Sequence, residues 1–295
     1  ALPISGSPFM ETAIGVVERP RQHTMPDPKQ ILCIKWGAMY GPEYVNCLYG
    51  MVSRNITGEF NLVCFTDDAS GIRAEVQTLP LPELGCPIPE DVPGKWPKQA
   101  LWAEDLFGLD GLALYLDLDS VIVDSIDPYF THGDLDGVYV ARNWVNPHLK
   151  QAQTSVFRFR IGQHSYMLEN LRKAPETISR KYQFEQNYVT EGIRGGVQFW
   201  PPRWTRHFRM HCMGPWPLRY VRPPKLPRGA RIVTFPGRPK PPDAAAGRWR
   251  PSTPHRTRIG HLQFALAKKR ETGAFLKYLK RYLQPTPWVE AAWQP

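Results

Sequence analysis

The chain has 295 residues, enough for one large α/β domain or two small ones, and its apolar fraction of 42% is compatible with a real core. It contains no run of about 18 apolar residues, which argues against a membrane span, and no basic-then-apolar leader, so no secretory signal is expected. A formal charge of +10 points to anionic partners: nucleic acid, nucleotide phosphates or an acidic membrane surface.

Five cysteines, Cys33, Cys47, Cys64, Cys86 and Cys212, show no paired zinc spacing, and an odd count favours buried thiols in a reducing, cytoplasmic setting. Residues 1–28 carry five prolines with little periodicity and read as a loose N-terminal arm. A first strand is expected over Gln30–Trp36, ending at Gly37, and a helix from Pro42 to about Arg54 with Val45, Leu48, Tyr49 and Val52 on one face. Phe60–Phe65 supplies a second strand closed by Thr66-Asp67-Asp68, so strand, helix and strand suggest a parallel pair. A short strand is expected at 74–79, a proline-rich loop at 80–97 and a helix over Lys98–Phe107. Further strands are expected near Gly137–Ala141 and Thr154–Phe159, and helices near Ser165–Lys173 and Glu185–Glu191. This alternation argues an α/β fold.

From Met213 to Gly260 proline and arginine dominate, Asp243 is the only acid, and an extended wrap around a strand at 231–235 is expected. The body of the domain is therefore placed at 29–260. Residues 261–295 form a basic helical extension whose stripe Phe275, Leu276, Leu279, Tyr282 and Leu283 docks on the core or, less favourably, touches a membrane.

The most informative stretch is Leu114–Val123, a strand-like apolar run interrupted by Asp117 and Asp119. At a period of two the acids share one face, and two carboxylates there are costly unless a cation or donor groups meet them. Paired oxygen ligands suit Mg²⁺ or Mn²⁺, and in open α/β sheets ligands collect at the carboxyl ends of strands. Two solvated acids at a strand end are the bland alternative.

In order along the chain, Ile34-Lys35-Trp36-Gly37, Phe65-Thr66-Asp67-Asp68, Lys98, Tyr115-Leu116-Asp117-Leu118-Asp119, Ser155-Val156-Phe157-Arg158-Phe159, Glu185-Gln186 and Phe235-Pro236-Gly237-Arg238-Pro239-Lys240-Pro241 form a set. The set resembles the GT-A glycosyltransferases, and among them the family 8-like bacterial group with its DxD motif. The resemblance implies a Rossmann-like mixed sheet flanked by helices. It also implies metal-assisted transfer of a sugar from a nucleotide diphosphate, typically a UDP-sugar, to a glycan or lipid-linked acceptor, with retention of configuration. It assigns Asp117 and Asp119 to the metal, with Asp117 also near the ribose or sugar, and Glu185 to the acceptor side. Lys98, Gly237 and Lys240 fall beside the diphosphate, and Lys35, Trp36, Gly37 and Tyr44 near the base, with Asp67 or Asp68 close by. Such an enzyme would serve surface-polysaccharide assembly at the inner face of a membrane.

The sequence departs from the family pattern in the late motif. Thr234-Phe235-Pro236-Gly237 has no histidine where the family places a further metal ligand. A nucleotide-sugar or polyanion-binding module that has lost its chemistry therefore stays open beside the enzyme. Asp117-x-Asp119 also resembles the first motif of haloacid-dehalogenase phosphatases, which stands near the N-terminus and needs a downstream acidic pair that is lacking here. His207 and His211 have the spacing of a zinc pair but no glutamate after the first histidine, so packing is the better account. No nucleic-acid motif is present.

Overall fold

The computed structural model describes residues 28–295, so the arm expected at the N-terminus lies, but for its last residue, outside the described residues. Strand β1 (Lys29–Lys35) leads through helix α1 (Pro42–Asn55) to β2 (Phe60–Thr66), with Pro42 in the first turn of the helix. The two strands pair in parallel from Lys29↔Phe60 to Lys35↔Thr66. β3 (Gln77–Leu79) adds to the outer edge of β2, shorter than the expected 74–79. β4 (Leu112–Leu116) pairs in parallel on the other side of β1.

Alternate residues of β1 feed two cores. Ile31 and Cys33 face α1 through Val45, Leu48, Met51 and Val52, whereas Leu32 and Ile34 join Phe65, Leu101, Tyr115 and Phe157 on the opposite face. A strand covered on both faces has no polar side, which is why β1, β2 and β4 read as continuous apolar runs.

Beyond the Asp117–Asp119 turn come β5 (Ser120–Ile122) and the short helix α2 (Pro128–Thr131), then β6 (Tyr139–Arg142) and β7 (Ala152–Arg160). β7 runs antiparallel to both β4 and β6. Helices α3 (Tyr166–Lys173), α4 (Pro175–Tyr182) and α5 (Glu185–Gly192) follow, and β8 (Gln198–Phe199) completes a seven-stranded mixed sheet of order β3-β2-β1-β4-β7-β6-β8. A smaller sheet, β5-β10-β9, combines β5 with β9 (Thr205–His207) and β10 (Ile232–Thr234). The fold class is thus α/β, a mixed sheet flanked by helices, as the sequence indicates.

Three expected elements are corrected. Leu114–Val123 is not one strand: β4 ends at Leu116 in the large sheet, and β5 begins at Ser120 in the small one. Its apolar pattern is continuous because both strands are buried. The helix expected over 98–107 is a 3₁₀ stretch, Trp96–Trp102, after which Ala103 turns extended and Phe107 takes a positive φ of 57°. The apolar stripe at 275–283 is helical only through Leu279, while Tyr282 and Leu283 are buried in the chain beyond it. Within 213–260 the structure adds the one-turn helix α6 (Pro241–Ala245) after β10. Helix α7 (Arg258–Thr272), unmarked by a clean apolar stripe, starts inside the segment read as extended and precedes α8 (Phe275–Leu279) and α9 (Pro287–Ala292).

Arg158 on β7 is fully buried in this frame. Its Nη1 donates to the carbonyls of Tyr129 and His132 at 2.9 Å each, Nη2 donates to that of Asp134, and the guanidinium lies over the Tyr139 ring. It ties the turn after α2 to the centre of the sheet. Arg158→Met would strand three carbonyl acceptors and is expected to cost about 3 kcal/mol or more, seen as a lower urea midpoint with an unchanged slope.

Candidate active site

The carboxyl ends of β1 and β4 open into a cleft of ≈ 440 Å³. Its lining brings together Trp36, Lys98, Asp117, Asp119, Glu185, Gly237 and Lys240 from the sequence-derived set. Asp117 is the first residue beyond β4, and its amide donates to the Ser155 carbonyl on β7 at 2.8 Å. The next turn, closed by Ser120 N–H to the Asp117 carbonyl at 3.0 Å, carries the chain from one sheet to the other. The paired acids therefore stand at the junction of the two sheets.

Each acid has its own lysine. Asp117 Oδ1 accepts from Lys98 Nζ at 2.8 Å and from the Tyr115 hydroxyl at 3.0 Å, and Lys98 Nζ also donates to the Thr154 carbonyl at 3.1 Å. Burial pushes the Asp117 carboxyl up, but the Lys98 ammonium and the hydrogen bonds outweigh it and hold the group below the usual carboxylate range. Asp119 Oδ2 accepts from Lys240 Nζ and, at 2.9 Å, from the Tyr40 hydroxyl, which itself accepts from Lys240 at 2.6 Å. Burial raises the Asp119 carboxyl, Lys240 lowers it and the neighbouring Asp117 raises it, leaving it above its ordinary value. Tyr40 is pushed far up by burial and then by the Asp119 charge, so it stays protonated and donates.

Glu185 opens α5, is buried, and accepts the Lys95 backbone N–H at 2.8 Å. A Cβ at Gly94, whose φ is +118°, would lie 2.8 Å from Glu185 Oε2, so only glycine lets this loop approach the carboxylate. Trp36 sits on the rim with Lys95 Nζ 5.6 Å from its ring centroid.

Four members of the expected set lie off the lining. Lys35 Nζ donates to the Asp68 carbonyl at 2.9 Å, and the Gly37 amide donates to Asp67 Oδ2 at 2.8 Å. These three residues, Lys35, Gly37 and Asp67, latch the loops after β1 and β2 together. Tyr44 packs between Tyr40 (centroids 4.7 Å) and Trp293 (5.3 Å), and burial pushes its hydroxyl up to about 12. It supports Tyr40 from behind. Tyr40 itself, Lys95 and Gln153 line the cleft and were missed, and Arg238, present in the late motif but given no role there, lines it too. Tyr40 had a signal, an aromatic residue in a glycine-bounded loop at the carboxyl end of the first strand.

The side chains present do not by themselves make the Mg²⁺ or Mn²⁺ site that the motif leads one to expect. Among the described residues no group of three or more His, Cys, Asp and Glu side chains could hold a metal. Pro236 lines the cleft in the late loop and offers no ligand, and one oxygen of each aspartate already carries an ammonium and a phenol. His207 and His211 do not form a zinc pair either. Their Nδ1 atoms accept the Arg209 and His207 amides at 3.1 and 2.9 Å, and burial lowers both pKa values, that of His207 to about 4.

No protein-family model matches the sequence, and no curated protein sequence matches it. Solved structures do share the fold. The galactosyltransferase LgtC, in complex with donor and acceptor sugar analogues, matches with a TM-score of 0.52 at 14% identity, covering 88% of this chain and 99% of LgtC. An active-site mutant of LgtC matches with a TM-score of 0.52 at 15% identity over 72% and 89% of the two chains. The glycosyltransferase GlyE of Streptococcus pneumoniae TIGR4 gives 0.50 at 12% identity, over 91% of this chain and 64% of that one. The fold is that of the GT-A glycosyltransferases. At such identities the likeness is one of architecture, and the chemistry must be argued from the cleft.

Lys98 is nearly inaccessible, with 6% of its side chain exposed, against 28% for Asp117. Lys98→Met would leave a carboxylate facing an apolar methyl and is expected to lower stability by about 2–4 kcal/mol at pH 7. In the wild type the depressed carboxyl pKa contributes stability above the ordinary carboxylate range and loses it as pH falls. The variant lacks that contribution, so its deficit should shrink below about pH 4 in pH-resolved urea titrations.

Proposed function

We propose that this protein is a glycosyltransferase that moves a sugar from a nucleotide diphosphate, best a UDP-sugar, to a glycan or lipid-linked acceptor. The observation that carries this reading is the pair Asp117 and Asp119 at the sheet switch, in a cleft that also presents Lys95, Lys98, Arg238 and Lys240 to an anion and Trp36 to a planar base. A GT-A architecture supports it by analogy of fold.

In this reading the anomeric carbon–phosphate oxygen bond breaks, its electron pair leaves on the diphosphate, and the acceptor oxygen bonds to the anomeric carbon. The acceptor proton passes to the departing phosphate oxygen on the same face. Cationic side chains held before the reaction begins stabilise the charge that develops on the leaving group. Asp117, fixed by Lys98 and Tyr115, is placed to accept hydrogen bonds from ribose or sugar hydroxyls. An inverting course needs a carboxylate base aimed at the acceptor. Glu185, the remaining acid of the lining, is buried and held by the Lys95 amide, which suits positioning and favours retention.

The acceptor reading draws support from the C-terminal surface. Ile259, Leu262 and Leu266 on α7 and Leu276 on α8 are exposed amid lysines and arginines, a composition suited to the surface of an anionic membrane. Among the described residues no helix is long and apolar enough to cross a membrane. All five cysteines are free and four of them are buried, which fits the cytoplasmic face.

The test is release of nucleotide diphosphate from a panel of nucleotide sugars, with Asp117→Asn beside the wild type. Release from one donor, reduced about 100-fold or more in Asp117→Asn, is expected and would name that donor. Nucleotide binding with no release in the presence of candidate acceptors would favour a binding module on the same fold. A protein that binds no nucleotide sugar would sink the transferase reading.

A further inference from the structure

Metal-assisted transfer is what a DxD motif on this fold suggests, yet the residues around Asp119 are arranged differently. Resting on the donor reading above, we propose that Lys240, and not a divalent ion, is the cation that Asp119 holds against the donor diphosphate.

The late loop is delivered to Asp119 by pairing between strands. Thr234, the last residue of β10, lies opposite Ser120, the first of β5, so the segment Phe235–Lys240 leaves the small sheet beside Asp119. Phe235 is anchored by stacking on Phe208 at 4.4 Å, and the Lys240 carbonyl accepts the Ala244 amide of α6 at 2.9 Å. With both ends fixed, the lysine side chain has little choice but to reach the acid. Only 10% of it and 8% of the Asp119 side chain are exposed, so this is a desolvated pair and not a passing surface contact.

An ammonium has three N–H donors. Lys240 gives one to Asp119 and one to the Tyr40 hydroxyl, which leaves the third for a ligand in the cleft. Tyr40 completes the cradle by donating to the same carboxylate oxygen. The late loop offers no carboxylate, imidazole or thiolate to a metal: it lines the cleft with Pro236, Gly237, Arg238 and Lys240, and the Thr234 hydroxyl is turned to the Arg206 carbonyl at 3.2 Å.

Charge leads to the same conclusion. The lining carries four cationic side chains, Lys95, Lys98, Arg238 and Lys240, and three acids, Asp117, Asp119 and Glu185. Arg238 also leans on the buried Asp243 at 3.3 Å, so the lining is close to balanced without a metal, and a divalent ion would have to displace an ammonium from a carboxylate. A diphosphate anion instead finds its counter-charge in place.

Two measurements on the unaltered protein test this, and variants sharpen them. Mn²⁺ alone, titrated into nucleotide-free protein and followed by electron paramagnetic resonance, should stay in solution up to about millimolar concentration. A micromolar Mn²⁺ site that is lost in Asp119→Asn would overturn the proposal. UDP binding by calorimetry should agree within about threefold between EDTA and Mn²⁺, whereas a tenfold or greater loss in EDTA would overturn it.

Lys240→Met should weaken UDP binding about tenfold or more in EDTA, and Lys240→Arg should recover most of it because the charge is retained. Unchanged UDP affinity in a folded Lys240→Met protein would also overturn the proposal. Should the methionine variant not fold, the Mn²⁺ and EDTA measurements still decide. Failure to bind UDP under any condition would count against the donor reading itself, while the Mn²⁺ titration would still report what sits on Asp119.

Discussion

The contact between Lys240 and Asp119 joins residues 121 positions apart and closes the small sheet against the large one. A buried carboxylate cannot stand without a partner, and neither can a buried ammonium. The pairing of β5 with β10, the stacking of Phe208 on Phe235 and the one-turn helix that receives Lys240 all bring the two charges together. The second pair, Lys98 with Asp117, works the same way from the other side, reaching from the 3₁₀ stretch to the first residue beyond β4. The cleft is therefore built around two ion pairs that face one another over a three-residue turn.

Support for these pairs comes from far along the chain. Tyr40, which holds Asp119, rests on Tyr44, and Tyr44 rests on Trp293 near the C-terminus. Arg54 at the end of α1 donates to the carbonyls of Ala292 and Gln294 at 2.9 Å, and the terminal backbone passes so close to Gly50 that a Cβ there would lie 2.4 Å from it. The last turns of the chain thus buttress the loop that carries Tyr40. A basic tail read from sequence as an extension is, at this end, part of the support of the cleft.

What could be read from the sequence followed from burial. β1, α1, β2, β4 and β7 were legible because apolar runs with both faces covered, and a helix with one apolar stripe, leave patterns that few other structures share. Asp117 and Asp119 were legible because acids inside such a run demand a reason. The same signal hid the break between β4 and β5, since two buried strands in different sheets, parted only by Asp117-Leu118-Asp119, read as one apolar stretch. Helix α7 escaped because Ile259, Leu262 and Leu266 are exposed, so its residues show no stripe facing a core. Tyr40 and the paired lysines belong to another level. Which lysine meets which acid is set by strand register between distant segments, and no local pattern records it.

The electrostatics of the cleft connect the fold to its chemistry. Pairing each acid with its own lysine places both carboxylates near neutrality locally, while Lys95 and an Arg238 that leans on Asp243 stand on the same lining. A cleft of that kind favours an anion that can take hydrogen bonds from several fixed donors at once, since none of them must be reorganised when charge grows on the ligand. Tyr40 and Tyr115, both held protonated by burial beside a carboxylate, fix the orientation of the acids without adding charge. In the proposed function, pre-set cations, neutral phenols and a rim tryptophan suit a planar base joined to a diphosphate better than a simple sugar or a neutral peptide. The arrangement arises from side chains whose positions the two sheets already dictate, Asp117 and Asp119 at the turn between them and Lys240 at the end of the loop that leaves β10.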